Sequence, residues 1–542
     1  MNKIILGIIF FFSLSVVVIA NSSEVVKVKL NKNSNVNRYI VVLKDDDSNR
    51  YFNSASSQSK RSRASLMAGD YGLSVKKVYQ KVINGFVVEG ELQDIKELSK
   101  RTDVEYIEQD VRVSVNALTT QNNVTWGLDR IDQRSRNLNG TYRYDRTGSG
   151  VNAYVIDTGI RTTHTEFGGR AAVGWDVINN RVGANTDCNG HGTHVAGTIG
   201  GSTYGVAKSV DLISVRVLPC NGEGWASDVA SGFDWVTVNG QLPGVINASV
   251  GGGASSALDS AVRRAVSAGF VVVVAAGNHD KDACSDSPSR VKEALTVGAT
   301  DINDKRADFS NYGQCVDVWA PGKSVLSASS VSNTASTTKS GTSMASPHVA
   351  GIAALYLQGA PNASVNNVIN FVMSKVTANK VADRGTIDTP NLFAYSLATN
   401  NKYSVMHRYY NHSIGDHFYT VNFSELQSAP DSRWAYEGSL GYVQRKNADG
   451  SSPLYRYNHS GSTDHFYTVN FGELGNGGSG WTYEGVAAYL PPASNATKSV
   501  YRYYNKKIGD HLYNTNWDAL GAGNSSWKYE GVAGQVFTQP QD

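Results

Sequence analysis

The chain has 542 residues, and 50 basic against 47 acidic side chains give a net charge of +3, too small to indicate a nucleic-acid-binding protein. At about 150 residues per domain it is long enough for three or four domains. An apolar fraction of 41% excludes wholesale disorder. A single apolar run approaches membrane length, and it begins at Ile4.

Residues 1–20 have the features of a secretory signal peptide. Lys3 supplies a positive charge, residues 4–19 form an apolar stretch, and Ala20 suits a cleavage position. An uncleaved membrane anchor is the alternative. The four cysteines can form two disulfides in an oxidising compartment, and recurring Asn-x-Ser/Thr sequons predict a glycoprotein where the host glycosylates. We therefore expect a secreted, extracellular protein with no membrane association after signal removal.

Residues 21–116 combine predicted strands with a predicted helix. The runs Arg38–Leu43, Gly85–Glu89 and Val104–Ile107 are strand-like, and Leu92–Leu98 has apolar residues at helical spacing. Such a mixture in fewer than 100 residues predicts a small α+β module.

Residues 117–396 alternate strands and helices. Short apolar runs at Ala153–Ile156, Leu212–Leu218 and Phe270–Ala275 are typical of strands buried on both faces. Ser256–Ala268 and Ser346–Leu357 have the length and small-residue content of packed helices. The pattern predicts an α/β domain with a parallel sheet that is covered on both sides.

Residues 403–542 form an internal triplicate, and residues 397–402 are a predicted linker. Asp-His-Phe-Tyr at Asp416 recurs at Asp464 and, as Asp-His-Leu-Tyr, at Asp510, with periods of 48 and 46 residues. Arg-Tyr and Trp-x-Tyr-Glu-Gly motifs recur at nearly the same spacing. We expect an all-β three-repeat domain that is β-trefoil-like, and a solenoid is the alternative.

Two motifs in the α/β region carry residues suited to acid–base chemistry. Asp157 directly follows a predicted strand, at the end of a parallel sheet where α/β proteins place their sites. His191 lies in the glycine-rich stretch 189–197. Cys188, His191 and His194 also have the spacing of a zinc site, but a second cysteine-rich half is missing.

Two further motifs carry a nucleophile and an amide. Ser343 precedes Pro347, and because proline is tolerated in a first helical turn we expect Ser343 at a helix N-terminus. Free N–H groups and the helix dipole favour negative charge there. Asn278 ends an apolar strand, so its amide can complete an oxyanion hole with the Ser343 N–H.

Together these motifs resemble the subtilisin-like serine peptidases, in the chain order Asp, His, Ser. The resemblance covers residues 125 to 396 and is closest to the aqualysin type of the proteinase K-like branch. It implies that Asp157 orients the imidazole, His191 is the general base, Ser343 is the nucleophile and Asn278 holds the oxyanion. It implies a serine endopeptidase that forms an acyl-enzyme and needs no cofactor for catalysis.

The resemblance also assigns substrate contacts. One wall of the P1 pocket would come from the stretch 249–252 and the other from 275–277, while the stretch 222–225 would pair with an extended peptide. The implied contact residues are Gly222, Gly224, Ser249, Gly251, Gly252, Ala276 and Gly277. No charge stands out in the two stretches of the P1 pocket, so we expect broad cleavage after apolar or aromatic residues. Ordinary turn chemistry is the alternative explanation for the glycines.

Disulfides follow from the same resemblance. Four cysteines allow three pairings, and the aqualysin type implies Cys188–Cys220 and Cys284–Cys315. Each loop would add about 3–4 kcal/mol in the chain-entropy account of disulfides.

Structural calcium is implied at two places. Asp317 matches a carboxylate that binds calcium with backbone carbonyls near Lys292 and Ala294. Asp129, Asp132 and Gln133 resemble a second site, in which Asn139 stands where some relatives have Asp. Hard oxygen ligands suit calcium.

The flanking regions have their own implied roles. Residues 21–116 resemble the inhibitory propeptide of these enzymes, with a closing strand at 103–110 and cleavage near Asn116–Ala117. The expected partners are protein and peptide substrates and the chain's own propeptide, and we expect a monomer.

The repeats resemble a module appended to secreted hydrolases. A carbohydrate ligand for exposed Tyr and Trp rings is one hypothesis, and the repeats' own core is the alternative. For the whole chain, the alternative class is a catalytically idle scaffold or lectin. The presence of all four active-site residues argues against this alternative.

Overall fold

The structure, a computed structural model, describes residues 28–29, 37–44, 56–81, 83–110, 118–182, 186–386, 388–397, 402–427, 434–448 and 450–540. It divides into two compact units, residues 1–115 and 116–542. The predicted signal peptide, the predicted cleavage near Asn116–Ala117 and most of the predicted linker lie outside the described residues.

The first unit is a five-stranded sheet with two helices. Its elements are β1 (Val28–Lys29), β2 (Arg38–Leu43), α1 (Ser57–Gly69), β3 (Ser74–Val78), β4 (Gly85–Glu89), α2 (Leu92–Ser99) and β5 (Val104–Gln109). The sheet order is β1-β5-β2-β4-β3. Ile95 and Leu98 of α2 are buried against Phe86 and Ile107 from the sheet, because helical spacing puts both on one face. The predicted strands and helix of this module are all present.

The second unit begins with the α/β part. Its strands are β6 (Thr119–Asn122), β7 (Thr141–Tyr144), β8 (Asn152–Asp157), β9 (Ala171–Asp176), β10 (Arg181–Val182), β11 (Asp211–Arg216), β12 (Gly244–Ala248), β13 (Gly252–Gly253), β14 (Val271–Ala275), β15 (Asp286–Ser287), β16 (Leu295–Thr300), β17 (Val318–Pro321), β18 (Val325–Ala328), β19 (Ser336–Lys339), β20 (Thr377–Ala378) and β21 (Leu392–Phe393). Its helices are α3 (Trp126–Ile131), α4 (His191–Gly200), α5 (Ala226–Asn239), α6 (Ser256–Ser267), α7 (Thr342–Gly359) and α8 (Val365–Lys375).

Ten of these strands form one sheet in the order β10-β9-β11-β8-β12-β14-β16-β17-β21-β20. Neighbours are parallel from β9 to β21, and the two outermost strands are antiparallel. Consecutive residues of β8 face opposite sides of the sheet and belong to different apolar cores. Val155 packs with α4 and α7, and Ile156 packs with α5 and α6. The predicted parallel sheet with helices on both faces is confirmed.

The repeats at the end of the chain are all-β, as predicted. Their strands are β22 (Tyr403–Asn411), β23 (Asp416–Thr420), β24 (Trp434–Gln444), β25 (Ser452–His459), β26 (His465–Thr468), β27 (Gly477–Gly478), β28 (Trp481–Leu490), β29 (Thr497–Asn505), β30 (Asp510–Asn514) and β31 (Lys528–Phe537), with short helices α9 (Ser424–Gln427) and α10 (Trp517–Leu520). In each repeat the first strand pairs antiparallel with the next strand and with the last long strand.

A closed ring of three buried tyrosines joins the repeats. The Tyr419 hydroxyl donates to the Tyr513 carbonyl at 3.1 Å, Tyr513 to Tyr467 at 2.6 Å, and Tyr467 to Tyr419 at 2.9 Å. Each hydroxyl also accepts a backbone N–H from another member of the ring. These aromatics are therefore core residues of the repeat domain.

The Asp-His pairs act across repeats rather than within them. Each His Nδ1 lies 2.6 Å from the Asp of a different repeat, and the pairs are Asp416 with His465, Asp464 with His511 and Asp510 with His417. One oxygen of each of the three buried aspartates lies within 4.8 Å of the others. The three repeats therefore bring their Asp-His pairs together at one place.

The first repeat packs directly on the α/β part. Tyr442 accepts from the Ala378 N–H at 2.8 Å and donates to the Val376 carbonyl at 3.2 Å. Val405 and Phe423 belong to the same apolar core as α7 and α8. None of the helices in the described ranges is both long and apolar enough to cross a bilayer.

His511 makes the stability of the repeat domain pH-dependent. Burial alone would lower the pKa of His511, but the hydrogen bond with Asp464 and the nearby Glu530 carboxylate outweigh it and raise the pKa to about 8. A raised folded-state pKa gives stability that is complete below about pH 6.5 and is lost as pH rises through about 8.

We therefore expect His511→Gln to destabilise the chain by about 2 kcal/mol more at pH 6.5 than at pH 9. Calorimetric unfolding of both proteins at the two pH values, in a Ser343→Ala background that prevents self-digestion, measures this difference. A destabilisation that is equal at both pH values would contradict the role of this histidine.

Candidate active site

Asp157 and His191 are brought together at the carboxyl end of β8. Asp157 is the buried last residue of β8 and His191 is the first residue of α4. The His191 Nδ1 lies 2.7 Å from the Asp157 Oδ1, which also accepts the Thr158 N–H. A side chain at Gly192 would overlap the Gly159 carbonyl and crowd Asp157, so glycine permits this close approach of helix and strand.

The pKa of His191 is raised by this arrangement. Burial opposes the charged imidazolium, but the Asp157 carboxylate stabilises it by Coulomb attraction and by the hydrogen bond, and the attraction wins. The ring is thereby suited to hold a proton that it takes from a neighbour.

Asp187 holds the loop that leads to His191, and sequence reasoning missed it. Its carboxylate accepts five hydrogen bonds, from the Thr158 hydroxyl, the N–H groups of Asn189 and Gly190, and both the N–H and hydroxyl of Thr193. The local signal was an Asp before an Asn-Gly pair, which favours an Asx turn. The contact with Thr158 spans 29 residues and has no local signal.

Ser343 is the second residue of α7, so its expected place at a helix N-terminus is confirmed. Pro347, however, is the sixth residue and lies beyond the first turn. Because proline lacks the N–H that would bond the Ser343 carbonyl, that acceptor needs another donor. The Ser249 hydroxyl supplies it at 3.0 Å. In return, the Ser343 hydroxyl donates to the Ser249 carbonyl at 3.0 Å.

The amide of Asn278 is oriented by Thr342. The Asn278 Oδ1 accepts from the Thr342 N–H at 2.8 Å and from its hydroxyl at 2.9 Å. With the oxygen held in this way, the NH₂ group of Asn278 remains to serve the cleft that Asn278 and Ser343 both line. Thr342 is a second residue that the sequence motifs did not single out.

A cleft of about 540 Å³ contains these groups. Of the predicted contact residues, five line it, namely Gly222, Gly224, Ser249, Gly251 and Gly252. Ala276 and Gly277 are not among its lining residues, and Ala276 is fully buried. The remaining wall includes the apolar side chains of Leu218, Val229, Val250 and Leu258 and the exposed ring of Trp225.

The two implied disulfides are both formed. Cys188 pairs with Cys220 and Cys284 pairs with Cys315. Asn189, next to Cys188, donates to the Cys220 carbonyl at 2.9 Å, so the first bridge ties the loop before His191 to the edge of the cleft. The zinc-site alternative is wrong, because Cys188 is oxidised and the buried His194 Nε2 bonds the Val325 and Thr337 carbonyls.

The second group of predicted calcium ligands lies around α3. Asp129 accepts from the Gln133 amide and from the N–H groups of Asn139 and Gly140. Asp132 binds the Arg143 N–H through Oδ2, and its buried Oδ1 has no hydrogen-bond partner. Burial raises the pKa of Asp132 to about 6, with Asp129 adding to the effect. Such a pair of crowded carboxylates fits a hard cation.

Asp317 lies elsewhere, in the wall of a separate cavity of about 290 Å³ that Lys292 also lines. Its Oδ2 accepts the Thr296 N–H at 2.7 Å. The structure therefore keeps the two predicted calcium sites apart from each other and from the cleft.

Three known protein families match parts of the chain. Residues 148–405 match the subtilase family, described as Peptidase_S8, and residues 38–116 match the peptidase inhibitor I9 family. Residues 373–490 and 473–542 match a domain of unknown function, DUF5648.

Among curated proteins, the chain is similar to an extracellular serine proteinase of Thermus sp. (strain Rt41A), with 53% identity over 62% of this chain and 82% of the relative. It is also similar to alkaline serine exoprotease A of Vibrio alginolyticus, with 47% identity over 66% of this chain and 67% of the relative. A solved structure of a cold adapted subtilisin-like serine proteinase matches with 52% identity and a TM-score of 0.49, covering 51% of this chain and 99% of that one. The chain belongs to the subtilase family of serine endopeptidases and carries an I9 inhibitor domain ahead of its peptidase domain.

Proposed function

We propose that this subtilase hydrolyses peptide bonds through Ser343 as nucleophile, His191 as general base and Asp157 as the group that orients the imidazole, with Asn278 in the oxyanion hole. The observation that carries the proposal is the 2.7 Å contact between His191 and Asp157 beside the cleft that Ser343 lines. A serine hydroxyl is a weak nucleophile until a positioned base takes its proton.

The proposed reaction begins when the Ser343 hydroxyl leaves the Ser249 carbonyl and turns to the Nε2 of His191. His191 takes the proton as Ser343 Oγ attacks the scissile carbonyl, and the Asp157 carboxylate stabilises the imidazolium that forms. The carbonyl oxygen becomes an oxyanion, to which the Ser343 N–H and the Asn278 amide donate. Protonation of the leaving amine by His191 releases it, and water then hydrolyses the acyl-enzyme by the reverse proton path.

The substrate is proposed to bind as an extended strand between the stretches 222–225 and 249–252. Glycines there leave backbone groups accessible for β-augmentation. The apolar side chains of Leu218, Val229, Val250 and Leu258 in the cleft support a broad specificity with apolar or aromatic P1 residues.

The enzyme is a zymogen, since the I9 inhibitor domain precedes the peptidase domain. We propose that the signal peptide is residues 1–20, the propeptide 21–116, the peptidase domain 117–396, the linker 397–402 and the repeat domain 403–542. Cleavage near Asn116–Ala117 would release a secreted, monomeric enzyme, in agreement with relatives named as extracellular. Glycosylation would be confined to accessible sequons, because Asn247 is buried in β12.

Structural calcium is proposed at Asp317 and at Asp129, Asp132 and Gln133. The unpaired buried Oδ1 of Asp132 supports the second of these sites. Bound calcium would neutralise carboxylates and stabilise the fold, and it takes no part in the reaction.

The repeat domain is proposed to be β-trefoil-like and to bind carbohydrate. The cyclic tyrosine contacts support a threefold arrangement. The rings of Phe471 and Trp517 are 38% and 40% exposed, and exposed aromatic faces of this kind stack on sugars.

A serine-directed phosphonyl reagent should inactivate the enzyme by labelling Ser343. Mass spectrometry of the digested protein locates the label, and Ser343→Ala provides the unlabelled control. Inactivation by a zinc chelator without any phosphonyl label on Ser343 would favour a metalloenzyme, and a folded wild-type protein that neither cleaves peptides nor takes up the label would favour an idle scaffold.

We expect Asn278→Ala to lower kcat about 10²–10³-fold while KM changes little, because the amide gains strength only as the oxyanion forms. The magnitude is that of the equivalent donor in subtilisin. Steady-state kinetics on the folded variant measures it. A kcat within about threefold of wild type would remove Asn278 from the mechanism.

Asp157→Asn should lower the pKa of His191, because it removes the attraction and leaves burial to act alone. Titration of the His191 ring by NMR, in Ser343→Ala protein with and without the second change, tests this directly. We also expect kcat of the single variant to fall by about 10⁴, as for the equivalent change in another serine peptidase. An unchanged or higher pKa of His191 would contradict the orienting role.

A further inference from the structure

The cavity at Asp317 lies between the α/β part and the first repeat. The α/β part contributes the polar side chains of Arg290, Lys292, Gln314 and Asp317, together with the Cys284–Cys315 disulfide. The wall from the first repeat is aromatic and is made of Tyr409, Phe423, Trp434 and Tyr436. At about 290 Å³ the cavity has room for several water molecules or a hydrated ion.

Two hydroxyls of this wall have no hydrogen-bond partner. Tyr409 and Tyr436 are 7% and 6% exposed, and both phenol oxygens are buried and unpaired. Their rings contact each other edge to face, with centroids 5.2 Å apart. A buried hydroxyl without a hydrogen-bond partner is energetically unfavourable. We therefore expect the cavity to contain a group or water molecules that form hydrogen bonds with both hydroxyls.

In the second and third repeats, the tyrosine at the position of Tyr409 does form a hydrogen bond. Tyr457 and Tyr503 occupy the position of Tyr409 in the second and third repeats. Their hydroxyls donate to the carbonyls of Gly475 and Gly521 at 2.8 Å and 2.9 Å. In the first repeat alone this hydroxyl bonds no carbonyl, and it lines the cavity instead.

Asp317 is the one carboxylate among the lining residues, and the Arg290 guanidinium in the same wall is paired with Asp259. Burial raises the pKa of Tyr409 well above its usual value, and Tyr436 and the Asp317 carboxylate raise it further, so the phenol stays protonated. A neutral hydroxyl can then accept from or donate to water around a cation that Asp317 holds. Calcium takes six to eight oxygen ligands, so one carboxylate and two carbonyls leave several positions for water.

We propose that Tyr409 and Tyr436 form the outer shell of the calcium site at Asp317, by hydrogen-bonding the water molecules that complete the coordination of the cation. This inference rests on the proposed calcium site. Because these hydroxyls belong to the first repeat, calcium binding and docking of that repeat strengthen each other, and the coupling is reciprocal.

The test measures calcium affinity in the full chain carrying Ser343→Ala, after removal of bound metal with a chelator. Isothermal titration with calcium chloride is compared for this reference, for Asp317→Asn, and for the double variant Tyr409→Phe and Tyr436→Phe. The matched control is Tyr457→Phe with Tyr503→Phe, which removes two hydroxyls at the equivalent repeat position and leaves the cavity intact.

We expect Asp317→Asn to abolish one class of sites, which assigns that class. The double variant should weaken the same class about tenfold, the low end of the effect of outer-shell partners, and the control should stay within about twofold of the reference. Calcium should also increase hydrogen-exchange protection of the β22 amides in the reference and the control, and less so in the double variant.

The outcomes separate the two proposals. Unchanged calcium binding in Asp317→Asn would overturn the calcium site at Asp317 and this inference with it. Loss of a class in Asp317→Asn, combined with an affinity in the double variant equal to that of the control, would overturn the inference alone. If the double variant does not fold, the single Tyr→Phe variants are measured, and control-like affinity in both would overturn it equally.

Discussion

The register between β8 and β12 is the constraint on which the site depends. Ile156 of β8 stands opposite Ala248 of β12, so the next residues, Asp157 and Ser249, lie side by side at the edge of the sheet. Asp157 meets His191, and Ser249 exchanges two hydrogen bonds with Ser343. A shift of one residue would turn every side chain of the strand to the other face and separate these groups.

The positions of the candidate active-site residues were largely predictable from the sequence, because each of these residues lies in a contiguous motif. Asp157, His191 and Ser343 each lie at an element end that the local pattern predicts, whereas Asn278 lies three residues beyond the end of β14. Parallel strands bring their carboxyl ends to one edge of a sheet. The residues that hold them were not predictable. Asp187 reaches Thr158, and Thr342 reaches Asn278 across 64 residues, and contacts of that separation leave no periodic signal.

In the repeats, the neighbouring Asp and His of one motif do not pair with each other. Asp416 and His417 are adjacent in the chain and lie in one strand, so their side chains point to opposite faces. Each therefore finds its partner in another repeat, His465 for Asp416 and Asp510 for His417. The contacts between repeats, which no single repeat encodes, decide the pairing and bring three carboxylates close together.

Equivalent residues of the three repeats differ in exposure, because the first repeat packs against the α/β part. Phe423 is 4% exposed against the α/β part, whereas its counterparts Phe471 and Trp517 remain 38% and 40% exposed. The same face that the second and third repeats present to solvent is the one that the first repeat buries. The docked face of the first repeat supplies the aromatic wall of the Asp317 cavity. The surroundings of the Asp317 carboxylate therefore depend on how this repeat packs against the α/β part. Through this shared core, and through Tyr442 bonding on both sides of Thr377, the repeat domain lies in the same compact unit as the α/β part.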